Sequence, residues 1–192
     1  MMFPVSLDLG RVAVALAGAG APLHRRLAAL DAAGARRLRV FSPTPDAALA
    51  AAAGVRLECR LPDPADLAGV GLLLVAGLDD AAAAQLAATA RAAGVLVNVE
   101  DRRAWCDFHL PAVMRRGALT LAISTDGRSP GLAARIKRYL EAAFGPEWGA
   151  RTDEAAAQRG AWRAAGADGA TVARLTDALV ERRGWLPTRR AP

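Results

Sequence analysis

The stretch RVAVALAGAGAPLHRRLAALDAAG, residues 11–34, decides the fold. From Arg11 to Ala17 the chain is a short, almost unbroken apolar run, as in a strand buried on both faces. Gly18-Ala19-Gly20 interrupts it, and Leu23, Leu27 and Leu30 then recur at helical spacing as far as Gly34, which is placed to end the helix. Strand, glycine turn and helix form the opening unit of a parallel α/β sheet. At such a turn glycines let the backbone approach a dinucleotide's pyrophosphate, and the helix N-terminus favours its charge. The fingerprint is incomplete. Leu23 stands where a third glycine or alanine is expected, and Ser42, not an acidic residue, follows the second strand. Taken alone, the turn fits a dinucleotide and a plain structural turn equally.

Outward from this unit the alternation continues. Arg39 to Phe41 reads as a second strand, followed by Ser42-Pro43-Thr44-Pro45, where the prolines impose a loop. Val55 to Cys59, Gly71 to Val75 and Val95 to Val99 are three further strand candidates, with an alanine-rich helix over 79–93 before the last. Strands alternating with helices predict an α/β fold with a parallel sheet covered on both faces. Beyond Asp101 the alternation stops. Leu119 to Ser124 reads as a strand and 131–144 as a helix with Leu132, Ile136, Leu140 and Phe144 on one face. Two more helical stretches follow, the last striped by Val172, Leu175 and Leu179 and set off by Gly166 to Gly169. A separate, small α-rich region is therefore expected from about residue 113.

The 192 residues suffice to bury a substantial core. No apolar run approaches the roughly 20 residues that cross a bilayer, and the basic-then-apolar pattern of a signal peptide is not seen. Cys59 and Cys106 show neither metal-ligand nor redox spacing, and with His24 and His109 as the only histidines no permanent metal site is expected. These features predict a reduced, cytoplasmic protein that does not enter a membrane. The formal net charge of +6, supplied almost wholly by arginine with Lys137 as the one lysine, favours a polyanionic partner. Aromatic residues make up only 5%, too few for stacking platforms, and no nucleic-acid motif stands out. Nucleic acid is not expected, and the cluster Arg182, Arg183, Arg189 and Arg190 reads as a solvated tail. A small molecule rich in carboxylates or phosphates satisfies the same charge.

Two stretches carry candidate chemistry. Asn98-Val99-Glu100-Asp101 lies at the C-terminal end of a parallel strand, where open α/β sheets place their ligands. A carboxylate there can accept a proton, or it can cap the loop before Arg102 and Arg103. In ISTDGRSPGLAARIKRYLE, residues 123–141, Ser129 suits an N-cap and Pro130 the first helical position. The free amides of that first turn face the loop Ser124-Thr125-Asp126-Gly127-Arg128, a seat for an anionic ligand or an ordinary helix start.

Four stretches, in this order and at these distances, resemble the precorrin-2 dehydrogenase/sirohydrochlorin ferrochelatase family of siroheme biosynthesis. They are FPVSLDLGRVAVALAGAG, the weaker LLLVAGLDD, GVLVNVEDRRAWCDFHLPAVMRRG and LTLAISTDGRSPGLAARIKRYLE, together covering residues 3–145. The resemblance implies a Rossmann-like NAD-binding domain over 1–112, a dimerisation region over 113–146 that makes a homodimer, and a C-terminal helical region over 147–192. It further implies that Asp101 matches the aspartate of proton transfer in both dehydrogenation and metal insertion. Ser124 and Thr125 match the polar pair lining the tetrapyrrole site, with Arg128 and Ser129 beside them as further substrate-binding candidates. Gly18, Gly20, Ala21, Pro22, Ser42, Pro43, Thr44 and Asn98 fall on the NAD side. The implied substrate, a polycarboxylate tetrapyrrole, suits a basic protein.

Departures from the family pattern cluster on the cofactor side. The family's run of three glycines reads Gly18-Ala19-Gly20-Ala21-Pro22 here, and Gly77-Leu78-Asp79 stands where the family commonly has alanine, threonine and aspartate. Asp126 also adds a negative charge beside the substrate loop. The expected activity is NAD-dependent oxidation of precorrin-2 to sirohydrochlorin, with metal insertion as a second activity. A tetrapyrrole-binding protein or chelatase that has lost NAD is the alternative.

Overall fold

The apolar run forms β1 (Ala13–Gly18), the central strand of a five-stranded sheet in the computed structural model, which describes residues 2–187. Its neighbours are β2 (Arg37–Phe41) on one side and β4 (Leu72–Ala76) on the other, with β3 (Leu57–Glu58) and β5 (Leu96–Val99) outside them. Every pairing is parallel, in the order β3-β2-β1-β4-β5. The order reverses direction at β1 and β4, so a crevice opens beyond the C-terminal ends of these two strands. Helix α1 (Gly20–Ala32) covers one face through Leu23, Leu27 and Leu30, all buried against Val14, Leu16, Val40 and Leu74. Each such leucine contributes roughly 1.5–3 kcal/mol by burial. Helix α3 (Asp80–Ala92) covers the other face, packing Ala83, Leu86, Ala87 and Ala90 against Ala15, Ala17, Leu73 and Val97.

The structure differs from the sequence reading in three places. A helix that the sequence reading did not expect follows the proline-rich loop: Asp46 accepts the Leu49 amide at 2.7 Å and starts α2 (Ala47–Ala53), which buries Leu49 and Ala53. The strand expected over 55–59 shrinks to two residues, because 54–56 close into a single 3-10 turn first. The region expected to be α-rich from 113 opens with a strand that was not expected, β6 (Ala112–Arg116), which pairs antiparallel with the expected one, β7 (Leu119–Ile123), as a hairpin.

That hairpin belongs to a second unit, which begins at Pro111. It continues with α4 (Pro130–Ala143), α5 (Trp148–Ala164) and α6 (Gly169–Arg183). Arg116 fastens the hairpin to α4 by donating to the Phe144 carbonyl at 2.9 Å and the Glu141 carbonyl at 3.1 Å, a favourable place for a cation because helix C-termini carry free carbonyls. Trp148 packs its ring 4.9 Å from Phe144 and lies under the Arg151 guanidinium. The unit's buried side chains are few: Met114, Ala133 and Leu179 among the described residues. No helix of the described residues is long and apolar enough to cross a membrane. Arg189 and Arg190, read as part of a basic tail, lie outside the described residues.

Candidate active site

The glycine turn sits where β1 ends beside β4. Gly18 pairs with Ala76, and a Cβ on Gly18 would lie 1.8 Å from the Ala76 carbonyl oxygen, so only glycine lets these strand ends come together. Gly20 has φ +63°, and a Cβ there would meet nothing nearer than Pro22 Cδ at 3.8 Å. Gly20 is thus bare toward open space, with the backbone approachable. Ala19 at the N-cap has no side-chain acceptor to offer, and the Gly20 and Ala21 amides have no partner among the described residues. Pro22 has no amide to leave unpaired. Two free N–H groups at the positive end of α1, beside a glycine without a shielding side chain, fit a dinucleotide pyrophosphate.

Next to this turn a cavity of about 190 Å³ opens between the strand ends, lined by Pro22, Gly77, Leu78, Glu100, Asp101 and Arg102. Asp101 is exposed and has φ +58°, an uncommon conformation for a residue with a side chain. Its neighbours on both sides are anchored. The Glu100 amide donates to the Val75 carbonyl at 2.9 Å, and its largely buried carboxylate meets Arg26 at 3.5 Å and Arg25 at 3.6 Å. Arg102 pairs with Asp80 in the first turn of α3, and that carboxylate holds the guanidinium charged even more firmly than usual. Asp101 is therefore carried on a short turn tied to α1, β4 and α3 and is one of the residues lining the cavity.

The chain shows its kinship at these residues. Residues 5–112, more than half the chain, match a family model described as "Putative NAD(P)-binding", and residues 116–143 match the model "Sirohaem biosynthesis protein central". The chain belongs to the NAD(P)-binding family of siroheme biosynthesis. It is 41% identical to a siroheme synthase of Pseudomonas putida over 139 residues, which are 71% of this chain and 29% of that protein. A siroheme synthase of Methylococcus capsulatus is 32% identical over 149 residues, 76% of this chain and 31% of that protein. One of Nitrosomonas eutropha is 32% identical over 162 residues, 82% of this chain and 34% of that protein. The chain thus spans about a third of the length of the curated relatives it matches. Among solved structures, SirC, a precorrin-2 dehydrogenase, superposes with a TM-score of 0.69 at 27% identity, covering 93% of this chain and 89% of that one. The Rossmann-like fold and the NAD cofactor expected from the sequence agree with these relationships and with the open glycine turn.

Seen as a member of this family, the chain distributes its other expected site residues unevenly. Ser42 follows β2 with its hydroxyl fully buried and without a partner among the described residues. Pro43 and Thr44 continue that loop to Asp46, whose carboxylate lies 3.0 Å from His24 Nε2. The Leu49 amide and then His24 hold the Asp46 carboxyl below the usual carboxylate range. Asn98 is buried, and its amide donates to the Phe108 carbonyl at 2.9 Å, so that group is spent on the 106–108 segment.

In the second unit, Ser124 Oγ accepts the Asp126 amide at 3.1 Å and Thr125 Oγ1 accepts the Ser129 amide at 3.1 Å. Ser129 Oγ caps α4 through the Leu132 amide, as its place in the sequence predicted. The three hydroxyls shape a tight loop in which Asp126 has φ +57° and Arg128 is exposed. Sequence reasoning missed Arg25, Arg26 and Asp80 as supports of the Asp101 turn. Arg26 and Glu100 are 74 residues apart, and no periodicity connects them.

Proposed function

We propose that this chain oxidises precorrin-2 to sirohydrochlorin with NAD as acceptor. The observation that carries the reading is a cavity beside the open glycine turn whose lining joins Pro22 and Gly77 to Asp101. When bound, NAD supplies a hydride acceptor. The residues of the chain do the rest. The Gly20 and Ala21 amides would hold the pyrophosphate of NAD, with Pro43 and Thr44 as further cofactor-side residues. Asp101 removes the proton that leaves as the substrate loses a hydride, so that precorrin-2 and NAD⁺ give sirohydrochlorin, NADH and one proton. Ser124, Thr125, Arg128 and Ser129 orient the substrate, with Arg128 pairing one of its carboxylates.

A second activity of the same site follows from the same carboxylate. Metal insertion into sirohydrochlorin releases two pyrrole protons, which Asp101 accepts one after the other and passes to water; the metal is then a substrate. We further read 1–112 as the NAD-binding domain, 113–146 as a dimerisation region and 147–192 as a helical region, with the homodimer working in the cytoplasm. What supports a dimer is the second unit's thin core beside the exposed Leu132 and Tyr139, seven residues apart on one face of α4. Single-turnover oxidation by Asp101→Asn tests the assignment. Loss of turnover with NAD binding retained is expected, and unimpaired turnover would remove Asp101 from the chemistry.

A further inference from the structure

We propose that the Cys106 thiol is a positioning residue for Asp101, holding the 99–102 turn in the conformation that sets the aspartate at the cavity. For catalysis this rests on the reading of Asp101 as proton acceptor; for the turn itself it stands alone. Three backbone groups of that turn meet the sulfur. Cys106 Sγ accepts from the Val99 amide at 3.3 Å, and its proton is shared between the Val99 carbonyl at 3.1 Å and the Arg102 carbonyl at 3.3 Å. The Asn98 side-chain amide reaches it as well, at 3.5 Å. The thiol thus grips both ends of the turn, while the turn's own bond, from the Arg102 amide to the Val99 carbonyl, is long at 3.3 Å.

The sulfur cannot drift away, because its own segment is fastened to the outer edge of β5. The Asp107 amide donates to the Val97 carbonyl at 2.8 Å, and the Asp107 carboxylate accepts the Val97 amide at 3.0 Å while pairing with Arg91. Asn98 holds the Phe108 carbonyl from the same strand. Asp101 lies in the left-handed region, a conformation that persists only where surroundings over-determine it. Glu100 and Arg102 are held by their ion pairs at the rim, and Cys106 supplies the grip from inside. A sulfur suits the place: its bonds are longer than an oxygen's, so one atom spans groups that a hydroxyl reaches only in part.

The test is a double-substitution cycle read by thermal unfolding. Asp101→Gly relieves the left-handed conformation, so in the parent background it raises the melting temperature by about 2 °C. With Cys106→Ala, or with Cys106→Val should the alanine variant not fold, the turn relaxes and the same Asp101→Gly change adds less than about half as much. Equal gains in all backgrounds overturn the proposal. Kinetics supply the second readout. Cys106→Ala is expected to lower kcat about tenfold with KM for NAD within about twofold, and Cys106→Ser to recover part of the loss, since displacement of a reacting group by an ångström costs on the order of a hundredfold. A kcat unchanged in Cys106→Ala, or a serine variant as slow as the alanine one, counts against the thiol. Full turnover by Asp101→Asn would instead sink the proton-transfer role, leaving the melting cycle to judge the turn.

Discussion

Substituting Gly20 by alanine separates ligand approach from folding. Its backbone lies at φ +63°, so alanine meets the left-handed penalty of about 1–2 kcal/mol, partly offset by about 0.4–1 kcal/mol from a stiffer unfolded chain. The added methyl meets no protein atom closer than 3.8 Å, so no clash increases that cost. A net loss of about 1 kcal/mol follows, a fall of about 2–4 °C in melting temperature for a chain of this size. Cofactor binding responds far more on the proposed placement, in which the methyl would stand between the pyrophosphate and the Gly20 and Ala21 amides. Losing one charge-assisted hydrogen bond of about 1.5–3 kcal/mol weakens NAD roughly tenfold to a hundredfold. Calorimetric titration with NAD, alongside a thermal scan, measures both. Gly18→Ala is the contrast: its Cβ would sit 1.8 Å from the Ala76 oxygen, so β1 and β4 must part and the fold itself is lost. An NAD dissociation constant for Gly20→Ala within twofold of the parent would refute the placement of the pyrophosphate.

Further outcomes follow from particular contacts. Ser42→Ala removes a buried hydroxyl without a partner among the described residues, so thermal unfolding should show the free protein unchanged or more stable by up to about 1 kcal/mol; marked destabilisation would mean that the hydroxyl is bonded. Asp66 is held ionised by Arg60, by the Asp63 amide and by Arg39, which keep its carboxyl far below the usual range. Its folded-state pKa is depressed, so the stability it contributes is complete above its ordinary value near 4 and lost as pH falls further. Acid unfolding curves of Asp66→Asn should therefore lie below the parent's at neutral pH and converge with them in strong acid. Met114→Ala empties a fully buried position of the second unit and should cost about 2–5 kcal/mol, read as selective loss of hydrogen-exchange protection in 111–187; uniform loss over both units would show that they unfold together.

How much of this was legible in the sequence depended on range. Leu23, Leu27 and Leu30 announce α1, and Ser129-Pro130 announces α4, because caps and helical periods are local signals. The C-terminal end of β5 was placed correctly beside Asp101 for the same reason, since the strand's apolar run stops there. Helix α2 was hidden: six of its seven residues are alanine, which carries no apolar period, and the prolines before it read as loop. Strand β6 was hidden because its apolar run is only three residues, Ala112 to Met114, before Arg115 and Arg116, and its burial depends on α4 packing later in the chain. The supports of Asp101 were beyond reach altogether. They join residues from α1, α3, β4 and the 106–108 segment, and neither the left-handed turn nor the sulfur inside it leaves a periodic trace.

The most direct measurement of the central claim is anaerobic absorbance spectroscopy of the purified chain with precorrin-2 and NAD. One NADH should appear for each sirohydrochlorin formed, with no reaction when NAD is left out. Tetrapyrrole binding without NADH, while NAD itself fails to bind, would contradict the dehydrogenase and leave a chelatase or a tetrapyrrole carrier in its place.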